Sequence, residues 1–214
     1  MANPLRELLR QPTEKELQVG RYTVLEPMDP QSLERLFRQR HGVYLDEGFI
    51  EPDAFPGACF RDVFDSIATH IAAFDPEGEV IGSSRVVPPT ELGLPTHRLF
   101  HLPPLGVEPS LIGEVGRLAI DRTHRGGARF VVLGIITRLY HGLRRHGLTH
   151  FVAFMHPDLE RMLTRLRIPV RPIEPLEPTP EHLAARAAMA GYFSRGHVRP
   201  TLTSLDAMAE AIGI

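Results

Sequence analysis

Apolar residues recur along this chain with two spacings, helical and alternating, and the changes between them mark out the elements. Behind Asp29-Pro30, an N-cap followed by a proline in the first turn, Leu33, Leu36, Phe37 and Tyr44 share one helical face. Arg40 sits on or beside that face, and a cation so placed usually snorkels its charge to water. Upstream, Asn3-Pro4 before Leu5-Arg6-Glu7-Leu8-Leu9 predicts a short helix, and Arg21–Glu26 a first strand. The runs Thr69–Phe74 and Val80–Val87 flank Asp75-Pro76-Glu77-Gly78-Glu79 and predict a hairpin, with Arg85 interrupting its second strand. Residues 47–58 and 88–109 lack a period and are rich in proline or glycine. They read as long connections, the first of them as a lid or binding loop.

The centre of the chain, Gly113-Glu114-Val115-Gly116-Arg117-Leu118-Ala119-Ile120-Asp121, reads as a strand. It runs into the basic turn Arg122-Thr123-His124-Arg125-Gly126-Gly127-Ala128-Arg129 and then a helix from about Phe130 to His146. A glycine turn at a helix N-terminus presents unpaired N–H groups and partial positive charge, which suits a phosphate. Arg122, Arg125, Gly126, Gly127 and Arg129 are the candidates for that role, with Arg144 and Arg145 better read as a solvated helix end. Glu114 and Arg117, three apart, would face opposite sides of a regular strand; a bulge permitted by Gly116 would bring them into one cavity.

Downstream, Thr149–Met155 predicts a short apolar strand. His156-Pro157-Asp158 opens a helix with Leu159, Met162, Leu163 and Leu166 on one face. A short strand at 170–173, a proline-rich link, a helix opened by Thr179-Pro180-Glu181 and a terminal helix from Ser204 complete the reading. An antiparallel front half joined to a strand–helix–strand crossover makes a mixed sheet in one α/β domain. Its core spans about 20–174 and a helical extension about 179–214.

Bulk properties narrow the function classes. The 214 residues suffice for a full core, and a net charge of −2 gives no general attraction to nucleic acid or anionic membrane. The single Cys59 rules out an intrachain disulfide and reads as a spare thiol in a reducing compartment. Without an apolar run long enough for a membrane span or a signal peptide, the expected location is cytoplasmic. The 11 histidines form no metal-ligand pattern, so no metal is expected.

Four separated pieces then carry a resemblance: Leu36-Phe37-Arg38-Gln39-Arg40-His41-Gly42-Val43-Tyr44, Asp62-Val63-Phe64-Asp65, Gly82-Ser83-Ser84-Arg85 and Glu114-Val115-Gly116-Arg117, in that order. With the Arg122–Ala128 turn, they resemble the GCN5-related N-acyltransferase superfamily over roughly residues 33–170. Within it they resemble two branches: the acyl-homoserine-lactone (autoinducer) synthases, and the N-acyl amino acid synthases with the acyltransferases associated with exosortase systems. Phe60 stands where the autoinducer synthases usually carry an acid, and the chain has no tryptophan. The Asp65-to-His70 spacing and the Arg117-Leu118-Ala119-Ile120 run look more like the N-acyl amino acid synthases.

The resemblance implies a single-domain GNAT-like fold: a mostly antiparallel sheet with a splayed central strand pair, flanked by helices. It implies acyl transfer from an acyl carrier protein or coenzyme A thioester, as co-substrate with no tightly bound cofactor, to the amine of an amino acid or related small molecule. Glu114 is then the candidate base or an ion-pair partner of Arg117 or Arg40, with Arg117 beside it in the catalytic set. Arg40, Asp62, Asp65 and Arg85 surround the acceptor, the aspartates suiting an ammonium and an arginine a carboxylate. Three alternatives stay open: an autoinducer synthase using S-adenosylmethionine, an acetyl-CoA-dependent acetyltransferase, and a non-catalytic carrier-binding module.

Overall fold

In the computed structural model, which describes residues 4–10, 16–187, 189–194 and 198–214 with side chains except at 56 and 125–128, the elements follow closely from local chemistry. Helix α1 (Pro4–Arg10) precedes β1 (Glu16–Val19), β2 (Tyr22–Leu25) and α2 (Pro30–Asp46). Asp29 caps α2 by accepting the Ser32 N–H at 2.8 Å, and Pro30 sits where no N–H is needed. The hairpin β3 (Thr69–Phe74) and β4 (Val80–Val87) is followed by a short helix α3 (Pro95–Leu99). Then come β5 (Ile112–Ile120), α4 (Ala128–Arg145), β6 (His150–Met155), α5 (Pro157–Arg165), β7 (Arg171–Pro172), α6 (Pro180–Ala187), α7 (Ala190–Ser194), β8 (Arg199–Ser204) and α8 (Leu205–Ile212).

Among the described residues the strands form one sheet in the order β1-β2-β3-β4-β5-β6-β8-β7. Only the β5–β6 pair is parallel, joined through α4. All eight residues of β4 are buried, because both faces of the sheet are covered. Val131, Ile135 and Leu139 of α4 join Ile71, Ala73, Ile81 and Val86 in the main core. Leu36 and Phe37 of α2 pack with Ala72 and Val80 in another cluster.

Four elements differ from the sequence expectation. Strand β1 alternates exposed and buried over only four residues, too few for a periodic signal. Strand β8 begins Arg199-Pro200, and proline argues against an interior strand; Pro200 here pairs opposite Phe154. Helix α3 lies in the proline-rich stretch 88–109, read as a plain connection, and α7 is a five-residue element with no room for a period.

The central strands part company after three residue pairs. Ile112, Gly113 and Glu114 pair with His150, Phe151 and Val152; beyond them β5 follows β4 to Ile120 while β6 follows β8 to Met155. The bend has a local cause. Between the Arg85↔Gly116 and Ser83↔Ala119 pairs, β5 holds two residues against one on β4. The bulge therefore falls on Arg117-Leu118 rather than on Gly116, and Arg117 takes the left-handed φ of 60°.

Gly113 lies where β5 and β6 are still joined, and an added Cβ would come within 2.6 Å of Leu148 Cδ1 and 3.2 Å of the Val87 carbonyl. Gly42, inside α2, has nothing within 4 Å of such a Cβ. Urea unfolding should therefore show Gly113→Ala destabilised by about 1–3 kcal/mol through overpacking. Gly42→Ala should be stabilised by about 0.5–1 kcal/mol through helix propensity.

Candidate active site

The parted strands enclose a cavity of about 860 Å³. Val115 to Ile120 line it from β5, and Phe151 with Ala153–Met155 from β6. Ile135, Leu139 and Leu143 of α4, Leu163 of α5 and Met208 of α8 extend an apolar interior. Arg117, Glu47, His156 and Tyr192 are among its polar lining residues. Tyr192 packs edge-on to Phe49, Phe154 and His156, so α7 brings an aromatic wall to this cavity.

Beside β5 lies a compact charge cluster. Asp62 caps the 3₁₀ turn Val63–Ser66, accepting the Phe64 N–H at 2.9 Å, while Asp65 accepts the Asp62 N–H at 2.8 Å. This reciprocal capping box aims both carboxylates at β4 and β5. Arg85 Nη1 and Nη2 donate to the two oxygens of Asp62 at 2.8 and 2.9 Å, and Nη1 also lies 2.7 Å from Asp65 Oδ1. Arg40 Nη1 donates to the same Asp65 oxygen at 3.0 Å, and Arg117 Nη2 to Asp62 Oδ2 at 2.8 Å. Arg40 and Arg85 are 0% and 1% exposed. The Asp65 carbonyl accepts from His70 Nε2 at 2.9 Å, which braces the turn from β3. Phe60 lies beneath Arg117, its ring centroid 4.2 Å from the guanidinium carbon.

The electrostatics follow from burial and pairing. Burial alone would raise the Asp62 carboxyl, but the hydrogen bonds and charge of Arg85, and then Arg117, hold it well below the usual range. Asp65 is likewise held low against its burial by Arg40 and Arg85. Burial pulls Arg40 down to about 10, against the pull of Asp65. Glu114, 2% exposed, stands apart from the guanidinium lattice. Its Oε2 accepts the backbone N–H of Thr96 at 2.6 Å. Burial pushes its carboxyl up to about 7, although Thr96, Arg85 and Arg117 all favour the charged form.

The structure thus brings together Glu114, Arg117, Arg40, Asp62, Asp65 and Arg85. Three readings change. Arg40 does not snorkel: it turns inward because Asp65 supplies a buried counter-charge, and its head group lies 5.4 Å from the Phe37 ring. Glu114 bonds to an α3 amide rather than to Arg117 or Arg40, because the aspartates already occupy those guanidiniums. The aspartates, expected to face an ammonium, have their oxygens engaged by arginines and by the turn's own amides.

Of the phosphate candidates, Arg122 donates from Nε to Glu47 at 3.0 Å and from Nη2 to the Asp46 carbonyl at 3.1 Å, tying the turn to the end of α2. Arg129 is exposed. Arg125, Gly126 and Gly127 fall in the 3₁₀ segment Arg122–Gly127, and any side-chain role there lies outside the described residues. Arg144 and Arg145 pair with Asp206 and Glu26. Among the described residues, no group of three or more His, Cys, Asp or Glu could hold a metal, and no helix is long and apolar enough to cross a membrane.

Sequence reasoning missed Thr96, His70 and the Phe60 plate as parts of the site. The Asp62-x-x-Asp65 spacing, a capping-box pattern, was a usable signal for the turn. Thr96, amid prolines, offered none.

Asp65→Asn removes the counter-charge of a buried guanidinium and should cost about 3–5 kcal/mol in urea unfolding at neutral pH. The depressed aspartate values make the wild-type contribution present above the unfolded pKa of about 3.9, lost only as pH falls through the lower folded values. Glu114 has the opposite sign: its folded pKa is raised, so its stabilising contribution is present at acid pH and lost as pH rises through about 7. Glu114→Gln should therefore gain stability over wild type above pH 7, with the difference vanishing near pH 4, as read by thermal unfolding across pH.

The model of the family described as N-acyl amino acid synthase FeeM matches residues 35–190. A comparison with curated proteins finds no match. Among solved structures, the fold is shared with the AHL synthase LasI at 17% identity and a TM-score of 0.64, over 89% of this chain and 92% of that one. TofI, in a ternary complex with an inhibitor and MTA, follows at 16% identity and 0.63 over 91% and 97%. FeeM, an N-acyl amino acid synthase from uncultured soil microbes, shares 14% identity and a TM-score of 0.63 over 89% and 94%. The match spans the α2 arginine, the capping turn, the β4–β5 pair and the split sheet: the chain belongs to the FeeM family of N-acyl amino acid synthases and is an acyltransferase.

Proposed function

We propose that this acyltransferase moves a long acyl chain from an acyl carrier protein or coenzyme A thioester to the amino group of an amino acid. The observation that carries the reading is the contrast across β5: an apolar cavity of about 860 Å³ in the split, and beside it three arginines held by two aspartates. Three guanidiniums against two aspartates leave one positive charge as long as Glu114 holds its proton, as it does once it has taken one from the acceptor. An acceptor carrying a carboxylate meets it at Arg117, the one of the three that lines the cavity. The aspartates then serve by fixing the arginines instead of binding the ammonium themselves.

In this reading the acyl chain fills the cavity. The thioester carbonyl lies along the edge of β5 beyond Glu114, where pairing with β6 has ceased. An N–H on that edge would stabilise the oxyanion, an interaction typically worth ~10²–10³ in rate. Glu114 takes the proton from the acceptor's ammonium, directly or through a water. The neutral amine attacks, the C–N bond forms and the C–S bond breaks; the second proton of the attacking nitrogen passes to the departing sulfur, releasing the pantetheine thiol, and Glu114 returns the first to solvent. A carboxyl titrating at about 7 is matched to this work at neutral pH.

A second reading, an autoinducer synthase using S-adenosylmethionine, is favoured by the likeness to LasI and TofI. Against it, Phe60 lies under Arg117 and offers no counter-charge to a cationic acceptor. An acetyl donor would leave most of the cavity unfilled.

Purified protein incubated with long-chain acyl carrier protein, long-chain acyl-CoA or acetyl-CoA, pooled amino acids, and with or without S-adenosylmethionine tests the proposal. Mass spectrometry should show an N-acyl amino acid formed without S-adenosylmethionine. Lactone formed only in its presence would replace this reading with the second. Glu114→Gln should lower kcat by about 10²–10⁴. Wild-type activity should rise with pH through about 7, as Glu114 ionises.

A further inference from the structure

Helix α3 meets the charged end of the site through Thr96, while Arg98 lies over the Phe64 ring of the capping turn, 4.8 Å from its centroid. Thr96, wholly buried, gives its backbone N–H to Glu114 Oε2 at 2.6 Å. Its hydroxyl is also buried and completes no hydrogen bond, although its nearness to Glu114 already favours the ionised carboxylate. The other carboxylate oxygen is turned toward the bulge: a methyl placed on Gly116, which lines the cavity, would lie 3.6 Å from Oε1. One oxygen is thus tethered and the other lies beside Gly116, a residue of the cavity lining.

The tether is anchored from outside. Segment 176–186 holds α3 by its carbonyls: Leu99 accepts from Arg186 Nε at 2.6 Å and His97 from His182 Nε2 at 3.1 Å. Leu176 N–H donates to the His101 carbonyl at 2.8 Å, just past the end of the helix. A loop amide left free would have given Glu114 no fixed orientation.

We propose that Thr96 is a positioning residue for acyl transfer: it fixes Glu114 Oε2 through its N–H and offers its hydroxyl to the same carboxylate, leaving Oε1 to accept the amine proton. The inference rests on the reading of Glu114 as the base. The charged groups that bear on Glu114 are Arg85 from β4 and Arg117 from β5. From α3, His97 turns its Nδ1 to the Leu94 N–H, and from β6 the residue opposite Glu114 is the uncharged Val152. Donors to the ionised form lower a carboxyl pKa, so loss of the Thr96 hydroxyl raises it.

The test compares Thr96→Val, which keeps shape and removes the hydroxyl, with Thr96→Ser, which keeps the donor; Thr96→Ala serves if Thr96→Val unfolds. The Glu114 carboxyl carbon is followed by ¹³C NMR across pH, assigned by its absence in Glu114→Gln. Its midpoint should rise by about half a unit to one unit in Thr96→Val and return toward wild type in Thr96→Ser. The acid limb of the acyl-transfer rate should move with it. An unmoved or lowered carboxyl midpoint in Thr96→Val overturns the assignment, whatever the activity. A raised midpoint with an unmoved activity limb overturns instead the reading of Glu114 as base, and with it the catalytic part of this inference.

Discussion

Arg85 is the constraint on which the site depends. A guanidinium 1% exposed on a fully buried strand is untenable without counter-charge, and Asp62 and Asp65 supply it from a single turn. That requirement fixes the position of the 3₁₀ turn against the sheet. The turn in turn fixes Arg40, which shares Asp65, and Arg117, which shares Asp62. Pull on any one of these side chains and the others lose a partner. Such a lattice contributes little as net stability, since desolvation offsets much of the attraction. Its effect is to hold several charges at defined places.

The same residues connect the lattice to the split in the sheet. Arg117 sits in the bulge that bends β5 away from β6, with a backbone conformation that costs about 1–3 kcal/mol in an ordinary residue. Its ion pair with Asp62 and its place over Phe60 help to keep it there. The bend opens the apolar cavity, and the guanidinium that enforces it also lines that cavity. Backbone strain, charge and the acyl compartment therefore meet at one position. Glu114 lies at the last paired residue before the strands diverge, which puts its side chain at the boundary between the two compartments.

Much of this was legible in the sequence, for identifiable reasons. The hairpin, the central strand, α2 and α4 carry strong periods or strong caps, so their residues announce them. The six charged residues of the cluster were readable as a group because four short motifs occur in a recognisable order. Their pairing was not, since partners 23 to 55 positions apart, such as Asp62 with Arg85 and Arg117, depend on tertiary placement. Arg40 shows the limit plainly: its neighbours in sequence argue for a snorkelling cation, and only the approach of Asp65 reverses that. Gly116 was the natural place for a bulge by propensity, yet the register puts the strain on Arg117 because its side chain has partners to hold it. Thr96 and β8 were invisible for a shared reason, since proline-rich or proline-initiated segments suppress the local signal.

A crystal structure of the protein with an N-acyl amino acid bound tests the account most directly. The account predicts the acyl chain between β5 and β6 against α4 and α8, the amide beside Glu114, and the carboxylate on Arg117. A chain lying outside the split, or a carboxylate bound away from the arginine–aspartate lattice, would contradict it.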